Sequence, residues 1–135
     1  MKKMLFAFAL ISVLSCNKKE EMTAIKKDII GSWELSARGG GFTGITTHYP
    51  AGNGSILVFN SNGNYLRKSH DTVLFSGHYT IRKKEDCYSR PNEVALSLDG
   101  SSSGIHQYIE LRNDSLYFDT PNCYADGNWF TYKRL

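Results

Sequence analysis

Residues 72–82 read Thr72-Val73-Leu74-Phe75-Ser76-Gly77-His78-Tyr79-Thr80-Ile81-Arg82. Val73, Phe75, Gly77, Tyr79 and Ile81 fall on one face, and Thr72, Ser76, His78, Thr80 and Arg82 on the other, with Leu74 the exception. A period of two lets a strand bury one face and wet the other. The same pattern recurs in both directions. Trp33 to Ala37 alternates and ends at Gly39-Gly40-Gly41; Ile45 to Tyr49 closes at Pro50-Ala51-Gly52-Asn53-Gly54. Ile56 to Phe59 is wholly apolar and leads through Asn60-Ser61-Asn62-Gly63 into Tyr65–Ser69, where the Asn-Gly pair is a hairpin signal. Val94, Leu96 and Leu98 alternate with polar residues. Ile105, Gln107, Ile109 and Leu111 share a face, Ser115–Asp119 follows a turn, and Trp129–Arg134 is the last strand.

Eight or nine short strands at roughly ten-residue spacing predict an antiparallel sandwich or barrel. Only Thr23 to Ile30 reads as helix, with Thr23 as N-cap, Ile25, Ile29 and Ile30 on one side, and Gly31 as the stop. The chain has 135 residues, enough for one domain. Its formal charge is +3, with 16 Lys+Arg against 13 Asp+Glu. Leaving out Lys2 and Lys3 makes it 14 against 13, a net of +1. That is no concentrated basic face, so nucleic acid is not an expected partner.

The N-terminus is an address. Lys2 and Lys3 precede Met4–Leu14, an apolar run with the length of a signal-peptide core and too short to span a bilayer. It ends in Val13-Leu14-Ser15-Cys16, which resembles the lipobox of bacterial lipoproteins. The resemblance implies cleavage after residue 15 and a diacylglycerol thioether on Cys16, since only a thiol offers that nucleophile. Several acyl chains at about 0.8 kcal/mol per buried methylene anchor durably. Lys19-Glu20-Glu21 resembles the surface-export signal of Bacteroidota lipoproteins, and position 17 is Asn rather than the Asp of an inner-membrane retention signal. The implied location is the outer membrane, lipid-anchored and facing the cell surface, with the periplasmic face as the alternative. The expected organisation is signal peptide 1–15, lipidated tether 16–22 and barrel domain 23–135.

Gly31-Ser32-Trp33 opening the first strand resembles the Gly-X-Trp signature of lipocalins, and Lys133-Arg134 resembles the basic residue ending their last strand. Residues 22–135, including Cys123 to Arg134, are similar to small lipocalin-like lipoproteins of Bacteroidota. The implied fold is all-β, an up-and-down eight-stranded barrel with a short N-terminal helical turn. The resemblance also implies that Arg134 packs across Trp33 at the barrel floor, and parity agrees: if Phe130 and Tyr132 point inward, so does Arg134. The chain is shorter than a typical lipocalin, so its cup should be shallow.

With Cys16 taken by lipid, Cys87 and Cys123 remain as a pair in an oxidising compartment. Their disulfide would be worth about 3–4 kcal/mol. Two free thiols in separate loops are the alternative. His48, His70, His78 and His106 lack metal-ligand spacing, and neither metal nor cofactor is expected. Ser69, His70 and Asp71 are adjacent and point apart, so they form no relay, and no enzymatic activity is expected. Asp71-Thr72-Val73 and Asp114-Ser115-Leu116 match a short Bacteroidota O-glycosylation sequon.

The expected inward residues are mostly large: Trp33, Leu35, Val73, Phe75, Tyr79, Ile81, Val94, Leu96, Leu98, Ile109, Leu111, Phe118, Phe130 and Tyr132, with Ala37 and Gly77 small. An eight-stranded barrel either fills itself or holds one small molecule. The expectation is a monomer with a narrow, partly filled cup. It would admit a small hydrophobic or amphipathic ligand near its open end, with Tyr79 and Gln107 as contacts and Phe75 and Tyr132 beside them. The competing reading makes these residues core only, in a structural lipoprotein that meets a protein or glycan through its loops.

Overall fold

The computed structural model describes residues 16–83, 94–99, 107–120 and 125–135. The disulfide expected between Cys87 and Cys123 lies outside the described residues. The described residues form one helix, α1 (Cys16–Asp28), and nine strands: β1 (Gly31–Gly40), β2 (Thr47–His48), β3 (Ser55–Phe59), β4 (Asn64–Ser69), β5 (Thr72–Lys83), β6 (Val94–Leu98), β7 (Gln107–Arg112), β8 (Ser115–Asp119) and β9 (Asn128–Arg134). All neighbours are antiparallel, in the order β2-β1-β3-β4-β5-β6-β7-β8-β9, and β1 pairs again with β9. That last ladder closes an eight-stranded barrel, since β2 is a short flap on the upper half of β1.

Closure settles which face is inside. Trp33, Leu35, Leu57, Phe59, Tyr65, Ile81, Leu96, Ile109, Leu116, Phe118 and Tyr132 form the buried cluster within. Ile29 joins them at 0% exposure, and Ile25 packs against the cluster. The helix therefore plugs one end of the barrel, and the chain enters there. It starts at Cys16 rather than at Thr23. Lys18 to Met22 contains no Gly or Pro and is mostly good helix formers, so a stretch that reads as a polar linker also takes up helical backbone. Among the described residues no helix is long and apolar enough to cross a membrane.

Two bulges correct the expected faces. On β1 the register slips between Leu35 and Ala37, so that Ala37 faces Thr131 while Arg38 faces Phe130. Ala37 is buried but takes outer parity, and Arg38 takes the inner parity expected of its neighbour. On β5 the register slips opposite Arg67 and Lys68, leaving Leu74 as the extra residue. Strand β6 reaches only Tyr79–Lys83 of β5, so the β4–β5 hairpin stands beyond it. Val73 and Phe75, expected in the core, are accordingly 49% and 53% exposed.

Candidate functional site

The closed end is held by the residues that carried the family resemblance. Trp33 is fully buried and donates from Nε1 to the Ile29 carbonyl at 2.8 Å. The Arg134 guanidinium carbon lies 4.2 Å from the Trp33 ring centroid. Its nitrogens donate to the Ile30 carbonyl at 3.1 Å and to the Asp28 carbonyl. One side chain thus covers the indole and holds the C-terminal end of α1, whose orphan carbonyls favour a cation. Gly31 has φ +138°, a backbone conformation that favours glycine, and a Cβ there would lie 2.9 Å from Arg134 Nη1 and push that guanidinium aside.

Tyr79 belongs to this closed end too. Its hydroxyl donates to the Asn60 carbonyl at 2.9 Å in the β3–β4 hairpin, and its ring meets Phe59 edge-on at 4.9 Å. It is a strut between β5 and that hairpin rather than a contact at the mouth. Tyr65 makes a similar strut, donating to the Asp99 carbonyl at 2.7 Å. Burial and the nearby Asp99 push its phenol above the usual range, against a smaller opposite pull from Arg67.

The opposite end differs. The register runs Trp33–Leu57–Arg67–Phe75 across β1, β3, β4 and β5, and since Trp33 and Leu57 are buried inside, Arg67 and Phe75 share their inner face. Yet Arg67 is exposed and Phe75 is 53% exposed. The β4–β5 hairpin stands beyond the reach of β6, and this stretch of the inner face is left uncovered. Across from them, Tyr132 is 8% exposed and stacks edge-on with Phe118 at 5.4 Å. Burial pushes its phenol up, and the Arg67 charge pulls it part of the way back. That attraction places the guanidinium within electrostatic reach of β9 across the interior. Gln107 lies opposite Leu96 on the inner face, partly buried. Of the four expected contacts, Phe75, Gln107 and Tyr132 thus have inner parity, with Tyr132 in the buried cluster, while the Tyr79 hydroxyl is engaged by the Asn60 carbonyl.

Arg67 and Arg38 were not anticipated. Arg67 alternates with Tyr65 in β4, which is a usable signal once Tyr65 is known to be inside; Arg38 is hidden by the bulge. Arg38 is engaged at the rim, its guanidinium 5.9 Å from the Tyr49 ring centroid. Glu34 was also missed. Its outer-face carboxylate, 6% exposed, accepts from the Gly52 and Gly54 amides at 2.8 and 2.9 Å and pins the residue 50–54 turn onto the barrel wall. Asn53 Nδ2 reinforces the turn by donating to the Leu35 carbonyl at 2.8 Å.

Of the two sequon-like tripeptides, Thr72 is exposed, whereas Ser115 is 3% exposed and its hydroxyl accepts from Lys133 Nζ at 2.6 Å. Among the described residues no three His, Cys, Asp or Glu side chains gather as metal ligands would. No family model, curated protein or solved structure matches the chain.

Proposed function

We propose that the protein is a lipocalin-like lipoprotein that takes a small amphipathic molecule into the open end of its barrel. One observation carries this reading: Phe75 shares the inner face with buried Trp33 and Leu57 and is nevertheless half exposed. Covering that ring with the body of a bound molecule would contribute roughly 1.5–3 kcal/mol. The aromatic lining and a few polar groups aimed inward are what small-ligand sites are made of. The test is a fluorescence titration of the mature chain with N-phenylnaphthylamine, a neutral apolar probe. Saturable enhancement, weakened about tenfold by Phe75→Asp, is expected (about 1.4 kcal/mol). A flat titration of the wild type removes the proposal.

We further propose that Cys16 carries the lipid and that the protein sits in an outer membrane through it, facing the cell surface. The support is the Val13-Leu14-Ser15-Cys16 context and its place at the start of the helix that joins the closed end. A tether there leaves the mouth away from its point of attachment. Cys16→Ala is expected to move the protein from the membrane to the soluble fraction. Retention with an unchanged acyl mass would contradict it.

A further inference from the structure

The polar groups inside the open end are not paired with each other or with anything else described. Among the described residues no side chain or backbone group forms a hydrogen bond or ion pair with the Arg67 guanidinium. The Tyr132 hydroxyl likewise has no partner. Every fully buried side-chain nitrogen or oxygen among the described residues does have one. The Tyr132 oxygen therefore keeps a small contact with solvent, although the residue as a whole is buried. Its neighbours on the wall are Leu35 and Leu116, both apolar.

The other nearby cations are already occupied. Arg38 lies over Tyr49, Arg134 over Trp33, and Lys133 donates to Ser115. Among the described residues two inner-parity guanidinia lack an acceptor, Arg38 at the rim over Tyr49 and Arg67 on the same row as Leu57 and Phe75. A forked donor of this kind matches a planar oxyanion, and a phenol hydroxyl adds one more donor from the far wall. An apolar surface, a free fork of donors and a free hydroxyl around one lumen describe a head and a body.

We infer that the open lumen selects an anionic amphiphile, its carboxylate or similar oxyanion seated between Arg67 and Tyr132 and its apolar body against Phe75. This rests on the ligand-binding reading above and sharpens it to a charge class. The guanidinium and the phenol donate, the oxyanion accepts, and no covalent step is involved. A neutral amphiphile of the same length would leave both donors unsatisfied in a partly desolvated site, and that difference is the source of selectivity.

The experiment is displacement of N-phenylnaphthylamine from the mature chain by decanoate and by decanol, at pH 8 and low salt. The expected result is decanoate binding at least about tenfold tighter than decanol. Arg67→Gln should bring the ratio close to one while leaving decanol within about twofold, and Arg67→Lys should keep part of the preference. Tyr132→Phe, which preserves the ring packed on Phe118, should weaken decanoate about threefold to tenfold and spare decanol. Equal affinities in the wild type, or a ratio unchanged by Arg67→Gln, would overturn the charge assignment while leaving ligand binding standing. Probe uptake with displacement by neither amphiphile would also overturn it. Absence of probe uptake itself would remove the ligand-binding reading beneath it.

Discussion

Arg134 lies across Trp33 with its guanidinium carbon 4.2 Å from the indole centroid, and it reaches past the ring to the last carbonyls of α1. The contact is at once a lid on the core and a latch on the helix. An exposed cation–π contact contributes about 0.5–1 kcal/mol, and hydrogen bonds from a charged donor contribute more. Arg134→Ala should therefore cost about 1–3 kcal/mol in urea unfolding and red-shift the emission of Trp33. Arg134→Lys should recover only part of this, because an ammonium cannot cover the ring and fork to two carbonyls. A loss below a few tenths of a kcal/mol would mean that the latch is ornamental.

Gly31 is fixed by the same residue. Its φ of +138° strains any side chain, and a Cβ there, 2.9 Å from Arg134 Nη1, would push the guanidinium off its place. Gly31→Ala is expected to destabilise by about 1–3 kcal/mol. In the double variant with Arg134→Ala the steric part should vanish, so the two costs should add to less than their sum.

The buried Glu34 carboxylate holds two glycine amides of the 50–54 turn. Glu34→Ala should strand those donors and cost about 1–3 kcal/mol. Hydrogen exchange is the sharper measurement. The amides of Gly52 and Gly54 should lose protection, while those of β6, on the far side of the barrel, should keep theirs.

Tyr132 gives a pH dependence. Burial raises its folded-state pKa above the ordinary 10.0, so the folded state holds its proton more tightly than the unfolded chain does. The resulting stability is fully present below pH about 10 and is lost as pH rises from there through the folded pKa. Tyr65 and Tyr79 shift the same way, chiefly through burial. Unfolding free energy should thus fall steeply above pH about 10, and Tyr132→Phe should flatten the fall. An unchanged slope in that variant would remove Tyr132 as a contributor.

The strands that announced themselves by alternation were the ones with one wet face. Trp33, Ile81, Leu96 and Phe118 lie inside as their parity requires. Strand β3 could not be phased, because Ile56 to Phe59 is apolar throughout; only the pairing with β1 puts Leu57 and Phe59 inside. Bulges are harder to see. Nothing in Leu35-Ser36-Ala37 marks an added residue, whereas Leu74, the residue that breaks the alternation of β5, is the one added there, and each shift re-aims everything beyond it. Strand length mattered as well. Phe75 has the parity of a core residue, but the neighbour that would cover it stops at Leu98, opposite Tyr79. Tyr132 and Gln107 could be placed from sequence because β9 and β7 run without interruption, whereas Arg67 needed the phase of Tyr65 to be known first.

The chain enters and leaves at the same end, with the Leu135 amide bonded to the Ser32 carbonyl at 3.0 Å. A mechanical load entering through α1 meets two obstacles in series. The first is the Arg134 latch on Asp28 and Ile30, a small local catch that yields while the helix peels from the floor. The second is β1 itself, clamped between β9 on one edge and β3 and β2 on the other. Where the barrel is held at its opposite end, the ladder bonds of β1 lie across the direction of pull and must be sheared together. The helix and its latch act as a sacrificial fuse, and the barrel keeps its shape after the fuse has opened.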